Sequence, residues 1–210
     1  MPNISRINGF RPVKHQNGSP YNGQATMYAF ASGANVFVGD AVKLAADGDA
    51  NGIQYAAPLA AGTAGTGQAG VGVVVGIVTP KLDPVTGKMT AGSIALDTPQ
   101  YIPTATGGYA MVADATDLIY EVEATSAGSA YSFAVADIQQ NANIVATAGS
   151  TTTGTSAHAL DMADKGTAST LPFKVVGVSR RIDNEVTGNY TKVLVTFNNH
   201  QYKSVGTAGL

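Results

Sequence analysis

The apolar residues of this chain fall into short runs separated by turn-forming residues, and this spacing constrains the fold more than any other feature. Two such runs, residues 173–179 and 191–197, are rich in β-branched and aromatic residues. In the second run, Val193, Val195 and Phe197 occupy every other position, which is the period of a half-buried strand. The two runs therefore predict a long β-hairpin.

Composition favours strands over helices in the rest of the chain. There are 25 glycines, and Gly, Thr, Ser and Val all rank low as helix formers. Further short strands are predicted at residues 25–30, 35–38, 41–44, 71–78, 94–96, 101–102, 109–112 and 117–123. In the last of these, Leu118, Tyr120 and Val122 share one face, while Glu121 and Glu123 share the other. We therefore predict an all-β protein.

Composition also divides the chain into three parts. Residues 1–24 hold three prolines and three Asn-Gly pairs, which break up regular elements and predict an extended N-terminal arm. Residues 25–202 are predicted to form a β-rich domain, with residues 79–93 as a loop or β-excursion. Residues 203–210 are predicted to be a C-terminal tail.

The N-terminal arm carries side chains suited to docking. Phe10, Val13 and Tyr21 are apolar anchors that could fill pockets on a partner, and Arg11 and Lys14 could meet acidic groups there. We predict all five as interface residues. The alternative is that the arm packs on its own domain.

The predicted hairpin presents a charged loop, residues 180–185, between its two strands. Arg180, Arg181, Asp183 and Glu185 can form ion pairs across a subunit boundary, and we predict them as interface residues. The alternative is a solvated tip with local ion pairs.

Residues with catalytic or metal-binding chemistry are sparse. The chain has no cysteine, and His15, His158 and His200 stand far apart without a metal-ligand spacing. Glu121 and Glu123 would share a strand face, but an acid–base pair must be assembled across the fold, which spacing alone does not establish. We predict no enzymatic activity, no cofactor and no metal site.

Charge and hydropathy exclude other classes of partner. The net charge is −2 and the pI is about 5.8, so the whole chain has no basic footprint for nucleic acid. The longest apolar run, residues 71–78, is far shorter than the ~20 residues that span a bilayer. The N-terminal residues also lack the apolar core of a signal peptide. Only 12% of residues are charged, which suits a protein whose surface is covered by assembly.

Several short segments together resemble small virion proteins encoded beside the major capsid gene of tailed bacteriophages. These segments are residues 8–15, 18–23, 37–42, 73–76, 117–122 and 141–154, and a last stretch that begins with residues 181–185 and ends in residues 198–201. Residues 56–70 and 80–94 lie outside the resemblance.

The resemblance implies a capsid decoration, or cement, protein. Such a protein is a β-rich subunit, commonly a homotrimer, which lies on the outer surface of an icosahedral head and clamps neighbouring major capsid protein subunits. It would be made in the host cytoplasm, and it would need neither nucleic acid nor a membrane as partner. The expected architecture is an antiparallel sandwich or a jelly-roll-like barrel, because antiparallel sheets must close or cover their edges.

A receptor- or glycan-binding domain of a phage fibre is the alternative, since it would use the same β composition. Glycan sites usually contain exposed aromatic platforms, whereas this chain has no Trp and its nine Tyr residues are scattered singly. The copy number in a virion separates the two functions.

Overall fold

A computed structural model describes residues 3–78, 80–82, 89–91 and 99–203. The described residues form β-strands, together with one 3-10 turn at Val135–Asp137. The fourteen strands in these ranges are β1 Arg11–His15, β2 Thr26–Phe30, β3 Ala41–Gly48, β4 Gln54–Pro58, β5 Gly72–Val78, β6 Pro80–Leu82, β7 Met89–Ala91, β8 Gly108–Ala113, β9 Leu118–Ser126, β10 Ser129–Ala130, β11 Asn141–Val145, β12 Ala159–Gly166, β13 Phe173–Val178 and β14 Lys192–Phe197. The prediction of an all-β fold is confirmed, and the two main sheets form a sandwich-like arrangement.

The seven-stranded sheet is organised around β9. Its order is β1-β9-β12-β11-β13-β14, with β10 also paired to β9. Because β9 pairs with β14 as well as with β12, the strands from β9 to β14 on this path close into a ring. The predicted hairpin is β13 and β14, which pair antiparallel.

The second sheet is a closed five-stranded barrel in the order β2-β4-β3-β5-β8. Most pairings in both sheets are antiparallel, but β2 pairs parallel to β4, and β12 pairs parallel to β9. The predicted excursion is represented by β6 and β7, which pair only with each other. Its turn, the predicted strand at 94–96 and the tail from residue 204 lie outside the described residues.

Two hydrophobic clusters hold the sheets together. The larger one lies mainly inside the seven-stranded sheet and contains a stack in which the ring of Phe173 lies 4.6 Å from Phe10 and 4.7 Å from Phe197. This cluster also includes Ala41 and Val73 from the barrel, so it crosses the junction between the two sheets. The smaller cluster lies within the barrel. The larger cluster therefore extends from one sheet into the next, and the barrel keeps a smaller cluster of its own.

The N-terminal segment packs on its own chain. Strand β1 pairs with β9, and Phe10 is only 1% exposed. The backbone at Gly9 lies so close to the backbone at Gly39 that a Cβ atom on Gly9, whose φ is +71°, would lie 2.4 Å from the Gly39 carbonyl oxygen. The prediction that Phe10 fills a pocket on a partner is wrong, because its ring is buried in the core of the same chain.

Candidate interaction surface

The outer face of the seven-stranded sheet holds two carboxylates, those of Glu121 and Glu123, two positions apart on β9. Glu123 stands directly opposite Lys192 of β14, and its carboxylate accepts a 2.8 Å hydrogen bond from the Lys192 ammonium. It also accepts hydrogen bonds from the hydroxyl of Ser5 and the backbone N–H of Arg6, at 2.9 and 2.7 Å. Glu123 is 1% exposed, so this carboxylate is satisfied inside the protein and fastens the N-terminal segment to the sheet.

Glu121 lies on the same face, between two different neighbours. Its cross-strand partners are Arg11 of β1 and Leu194 of β14. Its carboxylate is bound by Nη1 of Arg181 at 3.1 Å and by a short hydrogen bond from the Ser179 hydroxyl. Arg11 forms no ion pair with any residue in the described part of the chain, which leaves its guanidinium available.

The loop between β13 and β14 is held by a side-chain amide. Asn184 donates to the carbonyl oxygens of Ser179 and Lys192 at 2.7 and 2.9 Å, and its Oδ1 accepts from the Lys192 N–H at 2.7 Å. Arg181 pairs with Asp183 at 3.1 Å, and the hydrogen bond from Arg181 lowers the pKa of the Asp183 carboxyl. The alternative of a local ion pair is therefore what the isolated chain adopts.

These groups surround a cleft of about 260 Å³, which we call the arginine cleft. Its charged lining residues are Arg6, Arg11, Glu121, Arg181, Asp183 and Lys192. The N-terminal segment forms one wall of the cleft, and the loop after β13 forms another. The chain contains only four arginines, and three of them line this cleft.

A second concavity, the apolar groove, adjoins the arginine cleft. Its lining consists of Ile138, Val176, Gly177, Val178, Arg180, Arg181, Ile182, Asn184, Val186 and Leu194. Ile182 is fully exposed and Val186 is 55% exposed, although both are aliphatic. The fourth arginine, Arg180, lies on this groove, and Arg181 and Asn184 line both concavities. Exposed apolar area beside basic residues is typical of a protein-binding surface.

The remaining predicted interface residues are spread over the molecule. Val13 is 42% exposed on β1, and Lys14 is half-buried on the same strand. Tyr21 packs against the larger cluster, and its hydroxyl donates to the Gln24 carbonyl at 2.9 Å. Glu185 is exposed in the loop, and its N–H donates to Asn3 Oδ1 at 2.7 Å. None of these four residues lines the arginine cleft or the apolar groove, whose linings are drawn from the described part of the chain.

One buried titratable pair lies away from this surface, next to β3 and β12. Oδ1 of Asp40 is 3.6 Å from Nε2 of His158, and both side chains are buried. Nδ1 of His158 accepts the N–H of Ala41 at 3.2 Å, which joins the two sheets. Burial lowers the pKa of His158, against the opposing effect of Asp40, and burial raises the pKa of Asp40.

No helix within the described ranges has the length and apolarity needed to cross a membrane. Among the same residues, no group of three or more His, Asp or Glu side chains is placed to hold a metal ion. Comparisons of the chain with known protein families, with curated proteins and with solved structures find no match.

Proposed function

We propose that this protein is a structural virion protein that decorates the icosahedral head of a tailed bacteriophage. In this function it stabilises the head by clamping neighbouring major capsid protein subunits from the outside. The observation that carries the proposal is the apolar groove, in which Ile182 and Val186 lie exposed beside Arg180 and Arg181. Aliphatic side chains in such a position are stabilised when a protein partner covers them.

The construction of the sheets supports the same function. The barrel is closed and the path from β9 to β14 in the larger sheet also closes, so the described strands of these two rings have few edges open to uncontrolled pairing. A decoration subunit is present in many copies and has to add to the head without polymerising by itself. Recognition then falls to side chains, and the exposed loop at 180–190 displays them on a sheet with a large buried core.

We also propose that the subunits form a homotrimer, as the resemblance to decoration proteins implies. Several copies of one surface in an assembly convert modest contacts into firm attachment by raising the effective concentration. Sedimentation of the purified protein should then show a species of three times 21.3 kDa. A chain that sediments as a monomer and is also monomeric on heads contradicts the trimer.

Counting copies in purified virions tests the function. Quantitative mass spectrometry should find the protein in hundreds of copies per virion, on the order of the number of capsid subunits. Electron microscopy should place these copies over the head. A few copies at a vertex or on the tail would instead indicate a fibre component.

A pair of variants then tests whether the apolar groove makes the attachment. The double variant Ile182→Asp and Val186→Asp should retain its melting temperature, because both side chains are exposed, but it should bind heads at least about ten-fold more weakly. Val135→Asp is the matched control, because Val135 is 60% exposed and lies outside the groove. If the wild type, the double variant and Val135→Asp occupy heads equally, the attachment lies outside the apolar groove.

A further inference from the structure

The distribution of arginine points to the chemistry of the partner. All four arginines of the chain, Arg6, Arg11, Arg180 and Arg181, line the two adjoining concavities. Guanidinium groups bind planar anions through two parallel hydrogen bonds, which an ammonium group does not reproduce. A chain of net charge −2 thus concentrates its guanidinium groups on one surface.

Part of this positive charge is already neutralised, and part is not. Arg181 is bound to Glu121 and Asp183, and Lys192 is bound to Glu123. Arg11 and Arg180 form no ion pair with any residue that the structure describes. Arg6 only approaches Asp183, at 3.7 Å, and both side chains are exposed to solvent.

The lining of the arginine cleft carries four cations against two carboxylates, and Glu123 lies beneath it. Arg11 stands directly opposite Glu121 in the sheet, yet that carboxylate is occupied by Arg181 and Ser179. The guanidinium of Arg11, carried by strand β1, is therefore left in the cleft without an ion pair to any residue that the structure describes.

The walls also distinguish between classes of anionic polymer. The carboxylates of Glu121 and Asp183 would repel a dense row of phosphates, and the exposed aliphatic side chains of the apolar groove would be left uncovered by a nucleic acid backbone. A polypeptide with both carboxylate and aliphatic side chains complements both concavities. Arg181 and Asn184 line both concavities, so one extended segment could contact the two in succession.

We infer that the arginine cleft and the apolar groove together form a docking site for one extended acidic and aliphatic segment of a partner protein. A carboxylate of that segment binds Arg11 in the cleft, and its aliphatic side chains cover Ile182 and Val186 in the groove. This inference rests on the proposed function for the identity of the partner, which would be a capsid subunit.

Binding of synthetic peptides to the full chain tests the inference. The probes are fluorescein-labelled octapeptides with Asp-Glu beside Leu-Leu, in both chain directions, and matched peptides with Asn-Gln for the acids or Ser-Ser for the leucines. At low salt, at least one acidic and aliphatic peptide should bind about ten-fold more tightly than either matched peptide, as measured by fluorescence anisotropy. Equal binding of all the peptides overturns the inference.

Two variants locate the binding. Arg11→Gln should weaken binding of the acidic and aliphatic peptide about five-fold or more and leave the affinity for the Asn-Gln peptide unchanged. Lys14→Gln is the control, because Lys14 lies on the same strand but does not line the cleft. An unchanged affinity in Arg11→Gln overturns the site, and so does a single-stranded oligonucleotide that binds more tightly than every peptide.

The two proposals fail separately. One outcome is that heads carry the protein in hundreds of copies, on the order of the number of capsid subunits, while every peptide binds the wild type and the variants equally. In that case the docking chemistry is wrong and the decoration function stands. If Arg11 controls peptide binding but the virion holds only a few copies, the docking site stands and its partner is not the capsid.

Discussion

The two sheets of this protein differ in what their surfaces carry. The seven-stranded sheet and the segments attached to it hold all four arginines, the buried Glu123–Lys192 pair and the exposed aliphatic loop. The strands of the five-stranded barrel contain no arginine, and the cluster inside the barrel is the smaller of the two. The proposed recognition surface therefore lies on the sheet with the larger core, where a rigid support would fix the positions of charged side chains.

The largest expected effect concerns the core that joins the sheets. Phe173→Ala should lower the free energy of unfolding by about 3–5 kcal/mol, because it removes the centre of the aromatic stack and leaves a cavity. Phe30→Ala is the matched change in the smaller cluster of the barrel. Because the larger cluster includes barrel residues, urea should unfold both sheets of the Phe173→Ala variant in one transition. Two separate transitions would contradict a shared core.

The next largest effect on stability is expected at the buried ion pair of the seven-stranded sheet. Lys192→Met should destabilise the fold by roughly 3 kcal/mol, because Glu123 then keeps a buried charge without its cation. Lys43→Met on the barrel strand β3 is the control, since Lys43 has no carboxylate partner in the described residues. Thermal melts of the two variants compare the sheets directly. Equal destabilisation would show that Glu123 does not depend on Lys192.

The junction between the sheets should give a pH dependence. His158 has a pKa below 6.5 in the folded chain, so between that value and 6.5 the unfolded chain binds more protons. Its contribution to stability is complete above 6.5 and is lost as the pH falls. Asp40, whose pKa is raised, contributes with the opposite sign, because ionisation of the buried carboxyl opposes folding as the pH rises. Burial also lowers the pKa of His200, so that residue acts in the same direction as His158.

His158→Asn isolates the histidine in this junction. The asparagine Oδ1 can accept the Ala41 N–H in place of Nδ1, but it does not titrate. Melting temperatures measured at about pH 7.5 and pH 5.5 should therefore differ less in the variant than in the wild type. The same difference in both proteins would rule out His158 as the titrating group, and His200→Asn would then identify the second histidine.

Strand positions are predictable where apolar side chains alternate. The runs at 117–123, 173–179 and 191–197 correspond to β9, β13 and β14. Strand β11 gives no such signal, because the buried polar residues Asn141 and Asn143 interrupt its apolar pattern. Asn143 is 2% exposed, and its amide donates to Thr66 and Asp164 at 3.1 and 2.9 Å. Such residues satisfy their polar groups through distant partners, which a local pattern does not reveal.

The interaction surface is only partly predictable for the same reason. Arg11 and the charged loop are visible in the sequence, whereas Arg6 and Lys192 take their positions from Glu123, which anchors a segment 117 positions away at Arg6. The available signal is the grouping of all four arginines into two short segments, at 6–11 and 180–181. That grouping indicates a shared surface only once the N-terminal segment is known to pack beside the hairpin loop.

The smallest expected effect on stability is at Arg181 and Asp183. Variants at these two positions also separate an effect on folding from an effect on binding to heads most clearly. Reversing either charge, by Arg181→Glu or Asp183→Arg, should change the melting temperature less than Phe173→Ala or Lys192→Met does, because the two side chains are exposed and solvent screens them. Occupancy on heads should nevertheless fall in both, since the reversed charges alter the lining of the arginine cleft. Binding to heads is measured alongside the melts.

The double reversal decides which role the pair has. If Arg181 and Asp183 serve mainly to fix the loop, restoring an opposite-charge pair should recover part of the occupancy, with a measurable coupling between the two positions. Recovery should be incomplete, because the reversed pair no longer places a guanidinium against Glu121 at 3.1 Å. If neither single reversal alters occupancy, the loop is a solvated tip, and the difference between the two sheets lies in stability alone.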